Sequence, residues 1–285
     1  MGSLKIALET FFRSPVEQKQ RCVSKSSHGT ERGYVPYKSE NVKVSLGRAG
    51  PACLRECFSF GPPEHLGGSA YGENSYPDFV DGFSHHVDSY YSEVQRVEKV
   101  MLEILSLALS KATGRSLDPQ YLFNQIGLNR GLMKAAWSWP CQPSPEEARC
   151  DGHTDWGPLT ILLTTSPGLE VCTMSEESKV YQWHPVPVVP GAFTVNIGDQ
   201  LARWSNDLFT STIHRVNANV NCDSVRISLP YFSTQVLPLH PTSDPKVECI
   251  CRDGEEPKYE PLSIGDYLRR NFSLLHTPCA EAGGA

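Results

Sequence analysis

The sequence predicts a mainly β fold with flanking helices, arranged as a sandwich or barrel, on three observations. Between Thr154 and Phe232, six short apolar runs alternate with turn signals. The chain of 285 residues carries 22 Gly and 22 Pro, above the average share, with Val, Thr, Ile and aromatics gathered in its second half. One long helical period precedes the strands, and no internal repeat interrupts the order.

The elements follow in chain order. The first forty residues show weak periodicity, and Gly33-Tyr34-Val35-Pro36 reads as extended because a residue before proline is biased towards β. From Ser84 to Ala112, Val87, Tyr90, Tyr91, Val94, Val97, Met101, Ile104, Leu105 and Ala108 recur at three-and-four spacing, and Gly114 stops the helix. Asp118-Pro119 supplies an N-cap and a first-turn proline for a short helix to about Gln125. Pro140 to Asp151 is a surface loop. The predicted strands are Leu159–Thr165, Glu170–Thr173, Tyr181–Val186, Ala192–Ile197, Ser211–Val216 and Arg226–Phe232. Asp266 to Leu275 is a closing helix, and Thr277 to Ala285 frays.

Composition narrows the partners. With a formal charge of −6 and no basic run interleaved with aromatics, a nucleic-acid surface is not expected, and the ligand is a small molecule. No stretch reaches the roughly 18 apolar residues of a membrane helix. The start, MGSLKIALET, has no cleavable signal pattern, and Ile6 stands where Gly2 myristoylation wants Ser or Thr. Ten Cys are too few for a stapled secreted scaffold, so a cytoplasmic location is expected, with Cys53/Cys57 and Cys249/Cys251 as ordinary thiols. The sequon at Asn271 carries no meaning there.

His153-Thr154-Asp155 stands at a loop-to-strand boundary, where residues two apart point to one side and a metal could take both. A second imidazole, His214, lies 59 positions beyond Asp155 in the strand-like Ser-Thr-Ile-His-Arg-Val. Two His and one carboxylate on one face leave open metal positions, the arrangement of non-haem Fe(II) oxygenases. Twelve residues on, Arg226-Ile227-Ser228 puts a guanidinium and a hydroxyl on one side of a strand, suited to a carboxylate. Each piece alone is weak, since His-x-Asp recurs by chance. Order and spacing together describe a site for a 2-oxo dicarboxylic acid. His28, His65, His85, His86, His184, His240 and His276 have no such context and are surface or core residues.

Four segments in order, Gly152-His153-Thr154-Asp155-Trp156-Gly157, Val195-Asn196-Ile197-Gly198-Asp199-Gln200 with Trp204-Ser205-Asn206-Asp207, Ser211 to Val216, and Arg226-Ile227-Ser228, resemble the Fe(II)/2-oxoglutarate-dependent dioxygenases, isopenicillin N synthase-like branch. The resemblance spans almost the whole chain. It implies a double-stranded β-helix (jelly roll), His153, Asp155 and His214 as iron ligands, and Arg226 with Ser228 on 2-oxoglutarate. The implied activity couples 2-oxoglutarate decarboxylation, with O2, to hydroxylation, desaturation or ring closure of a small organic substrate; ascorbate is compatible as an auxiliary reductant. The alternatives are a catalytically silent binding module and an Fe(II) oxidase that uses no 2-oxoglutarate.

Two departures from that pattern stand out. Where the branch carries Asn-x-Tyr-Pro, this chain has Trp137-Ser138-Trp139-Pro140, so no tyrosine hydroxyl is available there. The resemblance also sets Glu9-Thr10-Phe11-Phe12 well inside the family's N-terminal region. Residues 1–83 are therefore read as a remnant of that region, with a bare strand edge, exposed apolar surface and an aggregation-prone, weakly active chain expected. Residues 84–130 are helical support, 131–265 the catalytic jelly roll and 266–285 the closing helix and tail. Trp137, Trp139, Trp156 and Trp204 line the pocket or pack as ordinary core.

Overall fold

The computed structural model describes residues 2–23, 32–40, 51–63, 73–126, 131–175, 180–233, 246–263, 266–268 and 271. Two antiparallel sheets face one another. The larger has the order β1 (Gly33–Val35), β2 (Glu56–Phe60), β3 (Leu132–Ser138), β10 (Arg226–Phe232), β5 (Leu159–Thr164), β8 (Thr194–Ile197). The smaller runs β4 (Cys150–His153), β9 (His214–Val216), β6 (Leu169–Met174), β7 (Tyr181–Pro185). A separate ribbon pairs β11 (Lys246–Val247) with β12 (Leu262–Ser263). This is the expected jelly roll.

Strand alternation gives the larger sheet two different faces. Phe58 and Phe60 of β2, Met133, Ala135 and Trp137 of β3, and Ile227, Leu229 and Tyr231 of β10 join one buried apolar cluster. Against that face pack α1 (Gly2–Arg13) and, beyond the short α2 (Val16–Gln20), α3 (Phe83–Thr113). The intervening residues, among them Cys57, Ala136, Arg226 and Ser228, turn to the other face, towards the smaller sheet. One sheet thus carries the core on its outer side and polar groups on its inner side.

The start of the chain is a helix whose apolar stripe joins the core. Leu4, Ala7, Leu8, Phe11 and Phe12 recur at helical spacing and are all buried. The Phe11 ring meets Phe58 edge-on, with centroids 4.9 Å apart, and Phe12 stacks on Trp137 at 5.3 Å. This stripe occupies only one twelve-residue helix, so over forty residues its period is diluted. Leu4 to Phe12 are thus seated on the outer face of the larger sheet.

The helix α3 begins one residue before the predicted start and ends at Thr113, where Gly114 takes a left-handed conformation (φ 77°) and donates its N–H to Ser110 O. The Asp118 carboxylate accepts from Gln120 N in a turn ahead of the helix and is not its N-cap: α4 spans Tyr121–Ile126, two residues later than the proline. The strand expected over Ser211–Val216 is paired only from His214, because the Ser211 hydroxyl is drawn to Asp199. β2, β3, β4 and α5 (Asp199–Trp204) are not evident from the pattern, and β4 takes the last two residues of the expected Pro140–Asp151 loop.

Asp266–Leu268 and Asn271 are helical; the other positions of the closing helix and tail, with His28, His65, His240 and His276, lie outside the described residues. The nine described cysteines are free thiols, and among the described residues no helix is long and apolar enough to cross a membrane.

Candidate active site

The site forms between the sheets, where β4 delivers His153, the following turn delivers Asp155 and β9 opens with His214. His153 and His214 are register partners, with ring centroids 4.4 Å apart. Each imidazole Nε2 lies 3.6 Å from Asp155 Oδ1, and one donor atom from each residue falls within 4.8 Å of the others. The Nδ1 atoms meet backbone carbonyls, Asp151 O at 2.7 Å and Thr212 O at 3.0 Å. A carbonyl only accepts, so Nδ1 carries the proton and Nε2 keeps a lone pair aimed at the shared point. This donor set fits a divalent metal with open positions.

Asp155 does not reach the site by strand alternation alone, since β4 ends at His153. Its carboxylate is positioned from the larger sheet: Thr160 Oγ1 donates to Oδ2 at 2.7 Å and Asn196 Nδ2 at 2.8 Å, leaving Oδ1 to the imidazoles. Burial pushes the Asp155 carboxyl up, but His214 and His153, followed by these two donors, hold it below the ordinary range. Burial, then His153, lowers His214, which favours the neutral ring that ligation needs.

A second layer joins the loops that carry the three groups. Asp199 accepts from Thr154 Oγ1 at 3.1 Å, Ser211 Oγ at 2.6 Å and Tyr267 Oη at 2.9 Å, and its N–H donates to Asp155 O at 2.8 Å. The preceding Gly198 has no room for a side chain: a Cβ there would lie 2.1 Å from Gly157 O and 2.8 Å from Asp155 O. Thr160, Asn196 and Asp199 are the residues that sequence reasoning did not assign. Asn196 and Asp199 stand in a recognised segment, and Thr160 is a polar residue set between buried Leu159 and Ile161.

Arg226 and Ser228 share the inner face of β10, as alternation predicts, and are 3 % and 7 % exposed. Arg226 Nε donates to Pro167 O at 3.2 Å and Nη1 to Ser228 Oγ, while buried Nη2 has no partner among the described residues. Burial, followed by Arg149, lowers this guanidinium to about 10, which leaves it a cation at neutral pH. A buried cation whose Nη2 has no partner, set beside a hydroxyl, suits a carboxylate. Trp137 and Trp204 belong to the buried core and Trp139 and Trp156 pack against it, so the four tryptophans are packing residues. The described histidines outside the site, His85, His86 and His184, are exposed or half-buried.

This geometry agrees with comparisons to known proteins. Residues 129–235 match the 2OG-Fe(II) oxygenase superfamily. The 2-oxoglutarate-dependent dioxygenase tropC of Talaromyces stipitatus is 30 % identical over 279 residues, covering 94 % of this chain and 78 % of that protein. The 2-oxoglutarate-Fe(II) type oxidoreductase hxnY of Emericella nidulans is 28 % identical, over 92 % of this chain and 74 % of the relative. In fold, a full-length Neurospora crassa protein crystallised in complex with alpha-KG superposes with a TM-score of 0.76 at 24 % identity, covering 95 % of this chain and 82 % of the other. The chain belongs to the 2OG-Fe(II) oxygenase superfamily. It is an oxidoreductase of the dioxygenase class, with Fe(II) and 2-oxoglutarate as cofactor and co-substrate.

Proposed function

We propose that His153, Asp155 and His214 hold Fe(II), that Arg226 and Ser228 hold the distal carboxylate of 2-oxoglutarate, and that the chain oxidises a small organic molecule in the cytoplasm. The observation that carries the metal assignment is the convergence of two Nε2 lone pairs and Oδ1 on one point, with both Nδ1 atoms locked by carbonyls. All five residues fall within 131–265, which we take as the catalytic unit, with 84–130 as its helical support.

Fe(II) bound there supplies the redox chemistry that couples conversion of 2-oxoglutarate and O2 to succinate and CO2 with oxidation of a substrate C–H bond. The protein's own part is positional. Thr160 and Asn196 keep the Asp155 charge directed inward, the carbonyls of Asp151 and Thr212 keep both rings oriented, and Arg226 sets the direction of the co-substrate. Arg226 is itself buried on the inner face of the larger sheet, which keeps water from it. A small organic substrate is supported by the same Neurospora crassa protein, one of whose structures is in complex with alpha-KG and thymine.

The test is anaerobic addition of Fe(II) and then 2-oxoglutarate to the purified chain. A visible charge-transfer band that needs both additions supports the assignment, and its absence overturns it. Succinate formed per O2 consumed then separates this reading from an Fe(II) oxidase without 2-oxoglutarate.

A further inference from the structure

Two thiols meet beside the metal ligands and take no part in the chemistry above. Leu54 N–H donates to Ala148 O at 2.9 Å, which sets residues 53–55 alongside the residues that open β4. Cys53 and Cys150 face one another across this junction. The Cys53 thiol donates to the Cys150 sulfur, and Asp151 N–H donates to Cys53 Sγ. On its other side, Cys150 Sγ lies 3.8 Å from His153 Nδ1. The Cys57 and Cys249 thiols, by contrast, donate to oxygens, Glu40 Oε2 at 3.4 Å and Arg203 O at 3.2 Å.

Reactive cysteines occupy electropositive surroundings. The Arg55 guanidinium lies within electrostatic reach of both sulfurs, and Arg226 of the co-substrate clamp within reach of Cys150. Cys150 is 3 % exposed, as is Arg226. A compartment that admits O2 to His153 and a dicarboxylic acid to Arg226 admits a molecule as small as hydrogen peroxide to the sulfur beside them.

We propose that Cys53 and Cys150 are a peroxide-reactive pair that closes reversibly to a disulfide and thereby weakens the metal site through β4. The oxidant is hydrogen peroxide. The Cys150 sulfur attacks one peroxide oxygen, the O–O bond breaks, and water leaves with a sulfenic acid on Cys150. The Cys53 sulfur then attacks Cys150 Sγ and displaces that hydroxyl as a second water. Two thiols lose two hydrogens, and the peroxide takes up two electrons. The new bond is shorter than a thiol hydrogen bond, so closure draws Cys150 towards Cys53 and away from His153. The β4–β9 register already shifts between Cys150 and His153, so the movement falls within an irregular stretch of strand that ends on a ligand. Only the effect on the metal rests on the reading of His153 as a ligand.

The test treats the reduced, metal-free chain with hydrogen peroxide, quenches it in acid, alkylates the remaining thiols and maps the tryptic peptides without reduction. Cleavage after Arg55 and Arg149 separates Cys53 from Cys57 and Cys150 from Cys141. A Cys53–Cys150 link that dithiothreitol reverses is expected, and in Cys53→Ala a dimedone adduct on Cys150 in its place. No link in the folded wild type overturns the proposal. So does a link elsewhere, such as Cys141 to Cys222, whose backbones meet through an N–H to O bond of 3.0 Å. Fe(II) is then titrated anaerobically into the oxidised, desalted protein, where affinity should fall about tenfold or more, the low end for disturbing a ligand's surroundings. Reduction should restore it, and Cys150→Ala should bind Fe(II) equally before and after peroxide. A linked chain with unchanged Fe(II) affinity overturns the coupling to the metal. If the reduced wild type binds no Fe(II), the metal reading fails and the coupling falls with it, while the peptide map still decides the thiol pair.

Discussion

Replacing Thr160 by valine tests whether the larger sheet sets the metal affinity. The two side chains have nearly the same shape, and Thr160 is 3 % exposed, so the change removes a donor without opening a cavity. What is lost is one hydrogen bond of 2.7 Å to a carboxylate that is itself 5 % exposed. Hydrogen bonds to charged groups contribute about 1.5 to 3 kcal/mol. Asn196 Nδ2, 2.8 Å from the same oxygen, keeps part of the orientation, so the lower half of that range is expected. An outer-layer partner of a metal ligand is worth about 10- to 100-fold in affinity, and the two ranges agree. Thr160→Val should therefore weaken Fe(II) binding about tenfold to thirtyfold in an anaerobic titration. At saturating metal the 2-oxoglutarate affinity should stay close to wild type, because Thr160 touches neither Arg226 nor Ser228. A folded variant that binds Fe(II) within twofold of wild type would show that Asp155 is oriented without help from β5.

Other substitutions probe the metal, the clamp and the core separately. His214→Ala should fold and lose Fe(II)-dependent succinate formation, since two protein ligands hold iron poorly against water; wild-type-like turnover would remove the triad assignment. Arg226→Gln should keep iron but raise the 2-oxoglutarate requirement about thirtyfold or more, the low end of the roughly 2 to 5 kcal/mol lost when a desolvated charge pair is broken. Phe11→Ala empties a fully buried position ringed by Phe12, Tyr34, Phe58, Phe79 and Phe83 and should cost about 3 to 5 kcal/mol in urea unfolding; a loss under about 1 kcal/mol would mean that α1 is not part of the core. Burial raises the Glu98 carboxyl, which accepts from Tyr231 Oη at 2.7 Å. The folded chain therefore holds that proton more tightly than the unfolded one, a contribution complete below about pH 4.3 and lost as pH rises through the folded value. The stability difference between wild type and Glu98→Gln should shift against wild type over that rise, and a pH-independent difference would refute the argument.

The parts of the fold legible in the sequence are those whose period matches their burial. The pattern predicts β10 over the bounds it has, and β5 within one residue, because both alternate or run apolar between turn signals. α3 is legible because its buried residues, from Val87 through Leu109, repeat over several turns. β2 and β3 escape the pattern for the opposite reason. Both faces of β2 are buried, with no exposed position to mark alternation, and β3 is buried throughout its last four residues. A short run buried on both faces carries no period-2 signal and cannot be told from core helix by pattern.

The site shows why spacing can find residues without finding what positions them. His-x-Asp reads as two residues on one face of a strand, but Asp155 lies beyond the end of β4. Its carboxylate converges with the imidazoles because Thr160 and Asn196, 5 and 41 positions away, direct Oδ2 outward from the shared point. Those partners lie on two strands of the opposite sheet, and neither separation corresponds to a helical or strand period. The Arg226 and Ser228 pair is legible because it does lie within a strand, where the i, i+2 rule holds. The same rule, read across the register to β3, gives adjacent residues opposite faces: Trp137 the helix side and Ser138 the side of Arg226. A motif comparison that sets Trp139 against a tyrosine leaves the direction of the side chain open, because direction is set by Glu56, on another strand and committed to the outer face.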